Sequence, residues 1–205
     1  MVVDPHRPSL NERVSFHRER KRDMGLPLIT NRLRIERFGE RHLNDSRYLA
    51  WLSDRENLVS LNLIDYLLNP VTQEKLARYY ESFRDSKANR LFAICLKDED
   101  RFVGTATLRE IGYGGLFDLG ILVGDKAVRG RGIATEVIGA LRTYAFGELE
   151  ARKICSSFAD DNIGVLLAFL RNGFRVEGLQ REQQMGLDGK VSNRYIVGLI
   201  RGDLK

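Results

Sequence analysis

At 205 residues with 43% hydrophobic content, the chain is long enough for one globular domain with a sizeable core. A net charge of +5 suits anionic ligands, but the lysines and arginines are spread rather than massed, which ranks nucleic-acid binding last. No apolar run has the length of a membrane span, no signal-peptide core opens the chain, and Cys95 and Cys155 form neither a disulfide framework nor a metal spacing, so a reduced, cytoplasmic protein is expected.

Residues 1–27 are polar, with Pro5, Pro8 and the cluster Arg18-Glu19-Arg20-Lys21-Arg22, and read as a mobile N-terminal arm. Residues 28–205 read as a single domain. Arg32 to Phe38 alternates apolar and charged residues, as a half-buried first strand does. Leu43, Tyr48, Leu49, Trp51 and Leu52 predict a helix, followed by a loop over Asp54 to Asn57 and a short apolar stretch from Leu58 to Leu68. Thr72 is placed to cap a helix that runs to about Phe83. Leu91 to Leu96 is an apolar run expected to be covered on both faces, and Asp98-Glu99-Asp100 turns it back into Phe102 to Leu108.

Phe117 to Gly124 is the next apolar strand. It leads through Arg129-Gly130-Arg131-Gly132-Ile133-Ala134 into a helix whose buried face carries Ala134, Val137, Ile138, Leu141 and Ala145. Glycines at a helix start leave amide donors exposed where an anion can sit. A dinucleotide fingerprint is excluded because Thr135 stands in the third glycine position, and no Walker loop occurs. A tight turn with solvated arginines accounts for the loop equally well. Lys153 to Phe158 is a further strand, and Asp161 or Asn162 caps a helix with Ile163, Leu166, Leu167 and Leu170 on one face. Gly173 is placed for its left-handed cap. Phe174 to Leu179 and Tyr195 to Ile200 are the last strands, with Asp188-Gly189 turning between them. The order β-α-α-β-β-β-α-β-α-β-β describes an α/β sandwich around a mixed sheet of about seven strands.

Arg129-x-x-Gly132-x-Ala134 resembles the acyl-coenzyme A pyrophosphate loop of the GNAT superfamily of N-acetyltransferases. A second segment, Asn162 to Phe174, is similar to that family's Asn-x-x-Ser-x-x-x-x-Glu-Lys-x-Gly-Phe motif through Asn162, Arg171, Gly173 and Phe174. The resemblance spans about Leu28 to Arg201. It points to the Rim-type branch and its small-molecule relatives, and Arg47 to Leu52, Leu91 to Ile94 and Gly120 to Lys126 resemble members tied to surface-sugar biosynthesis.

What the resemblance implies is a mostly antiparallel sheet whose central strands splay into an acyl-coenzyme A cleft. Leu122, Val123 and Gly124 would offer backbone to the pantetheine. Arg129, Gly130, Arg131, Gly132, Ile133 and Ala134 would hold the pyrophosphate, and Asn162 would reach the pantetheine. Arg171 would approach the outer phosphates or remain a solvated helix-end cation. Phe169 occupies the place of a tyrosine that donates a proton in many relatives, and Val165 replaces the family's serine. Ser156, Ser157 or water would then supply the proton, or the thiolate would leave unaided, and the N–H of Val123 would face the developing oxyanion.

An amine acceptor needs a base, for which Asp118 ranks first and Glu110 second. Trp51, Asp54 and Asn57 are the candidate acceptor contacts, with core packing for Trp51 and Tyr48, and a helix cap and a surface loop for Asp54 and Asn57, as their structural alternatives. His6, His17 and His42 show no ligand spacing, and no metal is assigned. The expected activity is acetyl-coenzyme A-dependent acetylation of a small-molecule amine, such as the amino group of a nucleotide-linked sugar. The alternatives are a protein N-terminal acetyltransferase and a non-catalytic acyl-coenzyme A-binding module. Neither a nucleic-acid nor a membrane partner is expected, and a homodimer is the assembly left open.

Overall fold

The alternation near the start of the domain is realised as strand β2 (Leu33–Arg37), with Leu33 and Ile35 fully buried, in a computed structural model that describes residues 25–204 except 62, 87, 113, 187 and 188. All but the last three residues of the expected 1–27 arm, and Asp188 of the expected last turn, therefore lie outside the described residues. A short strand β1 (Leu28–Ile29) pairs antiparallel with β2, an element that two residues of sequence gave no means of predicting.

The apolar run becomes β3 (Arg90–Leu96), buried on both faces to its last residue, and turns tightly into β4 (Arg101–Glu110). The strand that follows is β5 (Leu116–Val123). With β6 (Lys153–Ala159), β7 (Arg175–Met185) and β8 (Val191–Ile200) it completes an eight-stranded sheet in the order β1-β2-β3-β4-β5-β6-β8-β7. Among the described strands only β5 and β6 pair in parallel; the other neighbours are antiparallel.

Among the described residues five helices precede β3: α1 (Glu40–Leu43), α2 (Ser46–Trp51), α3 (Arg55–Ser60), α4 (Ile64–Leu68) and α5 (Gln73–Arg84). The loop expected over Asp54 to Asn57 is instead the start of α3, because the Asp54 side chain accepts from the amide of Asn57 and caps it. Thr72 caps α5 as its position suggested, accepting from the amide of Lys75 at 3.3 Å. These helices, with Phe38 just before them, cover one sheet face through Tyr48, Trp51, Leu76 and Phe83, packed on Leu91, Ala93, Phe102 and Leu122.

The other face carries α6 (Ile133–Gly147) and α7 (Ile163–Arg171). On α6, Val137, Ile138, Leu141 and Ala145 are completely buried, each large side chain contributing about 1.5–3 kcal/mol to folding. The expected face of α7 needs correction: Ile163, Leu167 and Leu170 are 51%, 43% and 41% exposed. Ala168 and Phe169 make the buried contact, and Phe169 stacks on Phe158 and meets Phe174 edge-on. Gly173 ends α7 with φ +85°, the left-handed conformation that glycine adopts without a Cβ clash.

Candidate active site

The site begins where two parallel strands part. Strands β5 and β6 are in register at Leu116–Lys153, Phe117–Ile154 and Asp118–Cys155, and the pairing stops there. At the fork the buried Ser156 hydroxyl donates to the carbonyl of Leu119 at 2.8 Å, which commits its proton and pins the start of the opening. Beyond it lies an open cleft of about 1460 Å³, lined by residues of β4 to β8 and of α2 to α7.

Backbone parity decides what β5 shows to this cleft. Gly124 donates to Val103 and Leu116 accepts from Ile111, so even-numbered residues of β5 turn their amides and carbonyls to β4. Odd-numbered residues face the other way, as the bonds from Ser156 to Leu119 and from the Arg129 guanidinium to the Val123 carbonyl at 2.9 Å show. The backbone groups turned to the cleft are thus those of Ile121 and Val123. Leu122 lines the cleft but spends its backbone on β4, and Gly124 lies outside the lining. A Cβ at Gly124 would stand 2.1 Å from the Trp51 ring, so glycine is there to admit that ring.

At the start of α6, Gly130 and Gly132 adopt φ +71° and +78°. Glu136 is the first residue of the helix to donate back, to the Gly132 carbonyl at 3.1 Å, which leaves the amides before it as a donor cluster. Gly130, Gly132, Ile133, Ala134 and Thr135 all line the cleft, and a Cβ on Gly130 would meet nothing within 4 Å. The turn is held from behind. Glu136 accepts from Thr30 Oγ1 at 2.6 Å, Arg32 N at 2.9 Å and Arg32 Nε at 2.7 Å, while Arg32 Nη1 reaches the Arg131 carbonyl at 2.8 Å. Across the cleft Asn162 caps α7, its Oδ1 accepting from the Val165 amide at 3.3 Å. Phe169, Arg171 and Val165 also line this wall; Arg131 is exposed and does not.

Arg129 does not extend toward that cluster. Its guanidinium bonds the Val123 carbonyl, Glu56 at 2.7 Å and the Asn57 side-chain oxygen. Lys126 adds Asp54 and Glu56, each at 2.9 Å. These contacts clasp α3 to the end of β5. Asn57 is 2% exposed and donates to the Trp51 carbonyl at 2.9 Å, so both ends of its amide are engaged in structure. Trp51, expected as an acceptor contact, is a core residue 4.9 Å from the Phe102 ring and absent from the lining.

The register places a set of polar side chains on one floor. Arg109, Asp118 and Cys155 are successive cross-strand partners, as are Thr107 with Gly120 and Thr105 with Leu122. Residues directly opposite in a sheet share a face, the face toward α1–α5. Asp118 lines the cleft there; burial pushes its carboxyl above the ordinary aspartate range, and the charges of Arg109 and Arg194 pull it only partly back. Arg194 is fixed by donating to the Ser157 carbonyl at 2.9 Å. Glu110 pairs with Phe117, so it sits on the opposite face; its carboxylate accepts from the Gly115 amide, and it does not line the cleft. The Cys155 thiol is pushed up to about 11 by burial beside the charge of Asp118 and is no nucleophile near neutral pH.

Glu36, His42 and Cys95 bring three potential metal ligands within 4.8 Å, which sequence spacing did not reveal. The Glu36 carboxylate accepts from Arg34 at 2.9 Å and from Arg41, and bonds His42 Nε2 at 3.0 Å. His42 Nδ1 accepts from the Gly39 amide at 3.0 Å. Two guanidinium groups around one carboxylate make this a partly exposed ion-pair cluster rather than a cation site.

Comparison with known proteins bears on the family and the fold. The family profile described as acetyltransferase (GNAT) domain matches residues 32–175. A Bacillus subtilis protein, probable N-acetyltransferase YjcK, is 27% identical over 141 residues, which is 68% of this chain and 76% of that protein. Spermidine N-acetyltransferase from Vibrio cholerae, solved with coenzyme A and spermine, superposes with a TM-score of 0.72 at 19% identity, covering 85% of this chain and 98% of that one. RimL, a ribosomal L7/L12 α-N-protein acetyltransferase solved with coenzyme A, gives a TM-score of 0.71 at 19% identity, covering 84% and 96%. Both structural likenesses are of fold.

Proposed function

This chain belongs to the GNAT acetyltransferase family, and on that premise we propose that it moves the acetyl group of acetyl-coenzyme A to the primary amine of a small, anion-bearing acceptor such as a nucleotide-linked amino sugar. The observation that carries the acceptor class is the charge lining the α3 side of the cleft. Arg55, Arg109 and Arg194 line it, while Asp54 and Glu56 are taken up by Lys126 and Arg129. Of the lining carboxylates that leaves Asp118, half-buried among these cations, and Asp161, exposed just before α7. A polycation would meet repulsion there; an amine joined to phosphate would meet attraction at both ends.

The residues fit the co-substrate. The amide cluster at Gly132 to Thr135 suits a pyrophosphate, and Ile121 and Val123 offer an extended arm a strand edge. A bound acetyl thioester supplies the group transferred, with a C–N bond formed as the C–S bond breaks. Asp118 takes the proton that the ammonium form of the acceptor must lose, and its raised pKa keeps it basic enough for the task. The Val123 amide stabilises charge growing on the carbonyl oxygen. Ser157, on the Asp118 side of the sheet, lines the cleft and is placed to return a proton to sulfur, whereas Ser156 is committed to Leu119.

A thiol-release assay over a panel of amines tests the reading. Nucleoside-diphosphate amino sugars are expected to turn over best, ahead of the free amino sugars and of spermidine. Release with N-terminal peptides or polyamines alone would overturn the acceptor class and leave the transfer chemistry standing.

A further inference from the structure

Strand β7 is the outer edge of the sheet, and Gln184 is its single buried residue, 8% exposed in an otherwise open strand. The pairing of β7 with β8 shifts twice, between Val176 and Gly178 and between Gln180 and Gln184, the second around a positive φ of 51° at Glu182. The first shift gives β7 one extra residue and so changes the face taken by the side chains that follow it. Val176 pairs with Val197, whereas Gln180 and Gln184 pair with Arg194 and Ser192, on the face shared by Asp118, and Gln184 lines the cleft. Its Oε1 is buried and has no hydrogen-bond partner among the described residues. Leaving such an oxygen unmet works against folding, and an apolar side chain would fill the place with less penalty.

We propose that Gln184 is a specificity-determining residue whose carboxamide oxygen accepts a hydrogen bond from an N–H or O–H on the part of the acceptor farthest from the reacting amine. This rests on the small anion-bearing acceptor proposed above and adds its length. Asp118 pairs with Cys155, which pairs with Gly198; Gln184 pairs with Ser192, six residues back along β8. At about 3.3 Å per residue that is roughly 20 Å of strand. Arg194 lies between the two, paired with Ala159 on β6. An acceptor that met all three would carry its amine at Asp118, its anion at Arg194 and a hydrogen-bond donor at Gln184.

The test compares wild type with Gln184→Met on two acceptors, a nucleoside-diphosphate amino sugar and the same sugar as its 1-phosphate, with acetyl-coenzyme A affinity and the urea denaturation midpoint measured alongside. For the intact acceptor kcat/KM is expected to fall about tenfold, mainly through KM, the usual consequence of losing one hydrogen bond. That loss is confined to the intact acceptor, and the midpoint stays equal or rises because an unmet polar atom has been removed. Equal losses on both acceptors, a weakened hold on acetyl-coenzyme A, or a lower midpoint would each overturn the assignment and make Gln184 structural. If the wild type acetylates neither sugar, the acceptor class is what fails, and the midpoint still decides between a ligand-facing and a structural Gln184.

Discussion

On the α6 side of the cleft the ligand-facing groups are main-chain amides, delivered by two glycines and braced by one buried-side carboxylate, all within eight residues of sequence from Arg129 to Glu136. On the α3 side they are side chains brought together by strand register, from Arg109, Asp118, Gln184 and Arg194, and by a clasp that joins Arg129 to a helix 72 residues earlier. A wall made of backbone tolerates change in side chains and fails when its φ angles are disturbed. One made of side chains should do the reverse, losing turnover or acceptor selectivity while the fold holds.

The largest expected effect is at Asp118. Replacement by Asn should lower kcat by about 10²–10⁴ while acetyl-coenzyme A still binds, the range for loss of a general base. Because burial raises this carboxyl in the folded protein, the acid limb of the wild-type pH–rate profile should lie above the ordinary aspartate range. The same shift makes the charged form unfavourable in the fold. Wild-type stability relative to Asp118→Asn is therefore full below the unfolded aspartate pKa and declines as pH rises through the folded one. Unchanged turnover across pH would remove Asp118 from the chemistry.

Next comes the clasp. Arg129→Met removes a cation that bonds the Val123 carbonyl, Glu56 and Asn57 at once. Charged hydrogen bonds of this kind are each worth about 1.5–3 kcal/mol when partly buried, less where Glu56 is exposed. The variant should loosen α3, raise the acceptor KM more than the acetyl-coenzyme A KM, and speed amide exchange at Asn57 and Leu58. Equal rises in both KM values would show that Arg129 serves the pyrophosphate directly and that the two walls are not separable at this residue.

Gly130→Ala probes the backbone wall. A Cβ there meets no protein atom, so the expected penalty is about 1–2 kcal/mol for holding φ +71° with an L side chain. Acetyl-coenzyme A affinity should fall along with stability, and acceptor selectivity should not move. A variant that binds the co-substrate as tightly as wild type would remove the amide cradle from this loop.

How much of each wall could be read from sequence follows from the same difference. The loop at residues 129–134, the cap at Thr72 and the left-handed Gly173 are local matters of spacing and residue type, and their geometry is as their neighbours dictate. Arg129 was legible as part of a loop, yet its side chain is claimed by Glu56 and Asn57, which no local pattern announces. Asn57 and Trp51 were read as acceptor contacts because nothing in one sequence shows that Gly124 makes room for an indole ring. Gln184 was invisible for a sharper reason. Alternation counted from Val176 would put it on the Val197 face, and only the one-residue shift between Val176 and Gly178 moves Gln180 and Gln184 to the face of Arg194. Helix α7 was misread because four large apolar residues outnumber the Ala168–Phe169 pair that makes the contact.

Glu136 gives the smallest expected effect and the one most specific to the backbone wall. Burial works to raise its carboxyl, but the hydrogen bonds from Thr30 and Arg32 and the charge of Arg32 outweigh it and hold it below the ordinary glutamate range. It also lies in the first turn of α6, where the helix end favours negative charge. Glu136→Gln keeps the shape and loses the charge, so destabilisation of about 1 kcal/mol at neutral pH is expected. A depressed folded-state pKa contributes stability above the unfolded value and loses it as pH falls through the folded one, so the gap between wild type and variant should close in that acid window. Asp118→Asn should open its own gap, of opposite sign, as pH rises above the ordinary aspartate range. Two carboxylates on facing walls would then titrate against stability in opposite directions. A Glu136 gap of constant size from neutral pH down through that window would mean that the turn is braced by shape alone, and that the charge at the head of α6 contributes nothing to holding the loop in place.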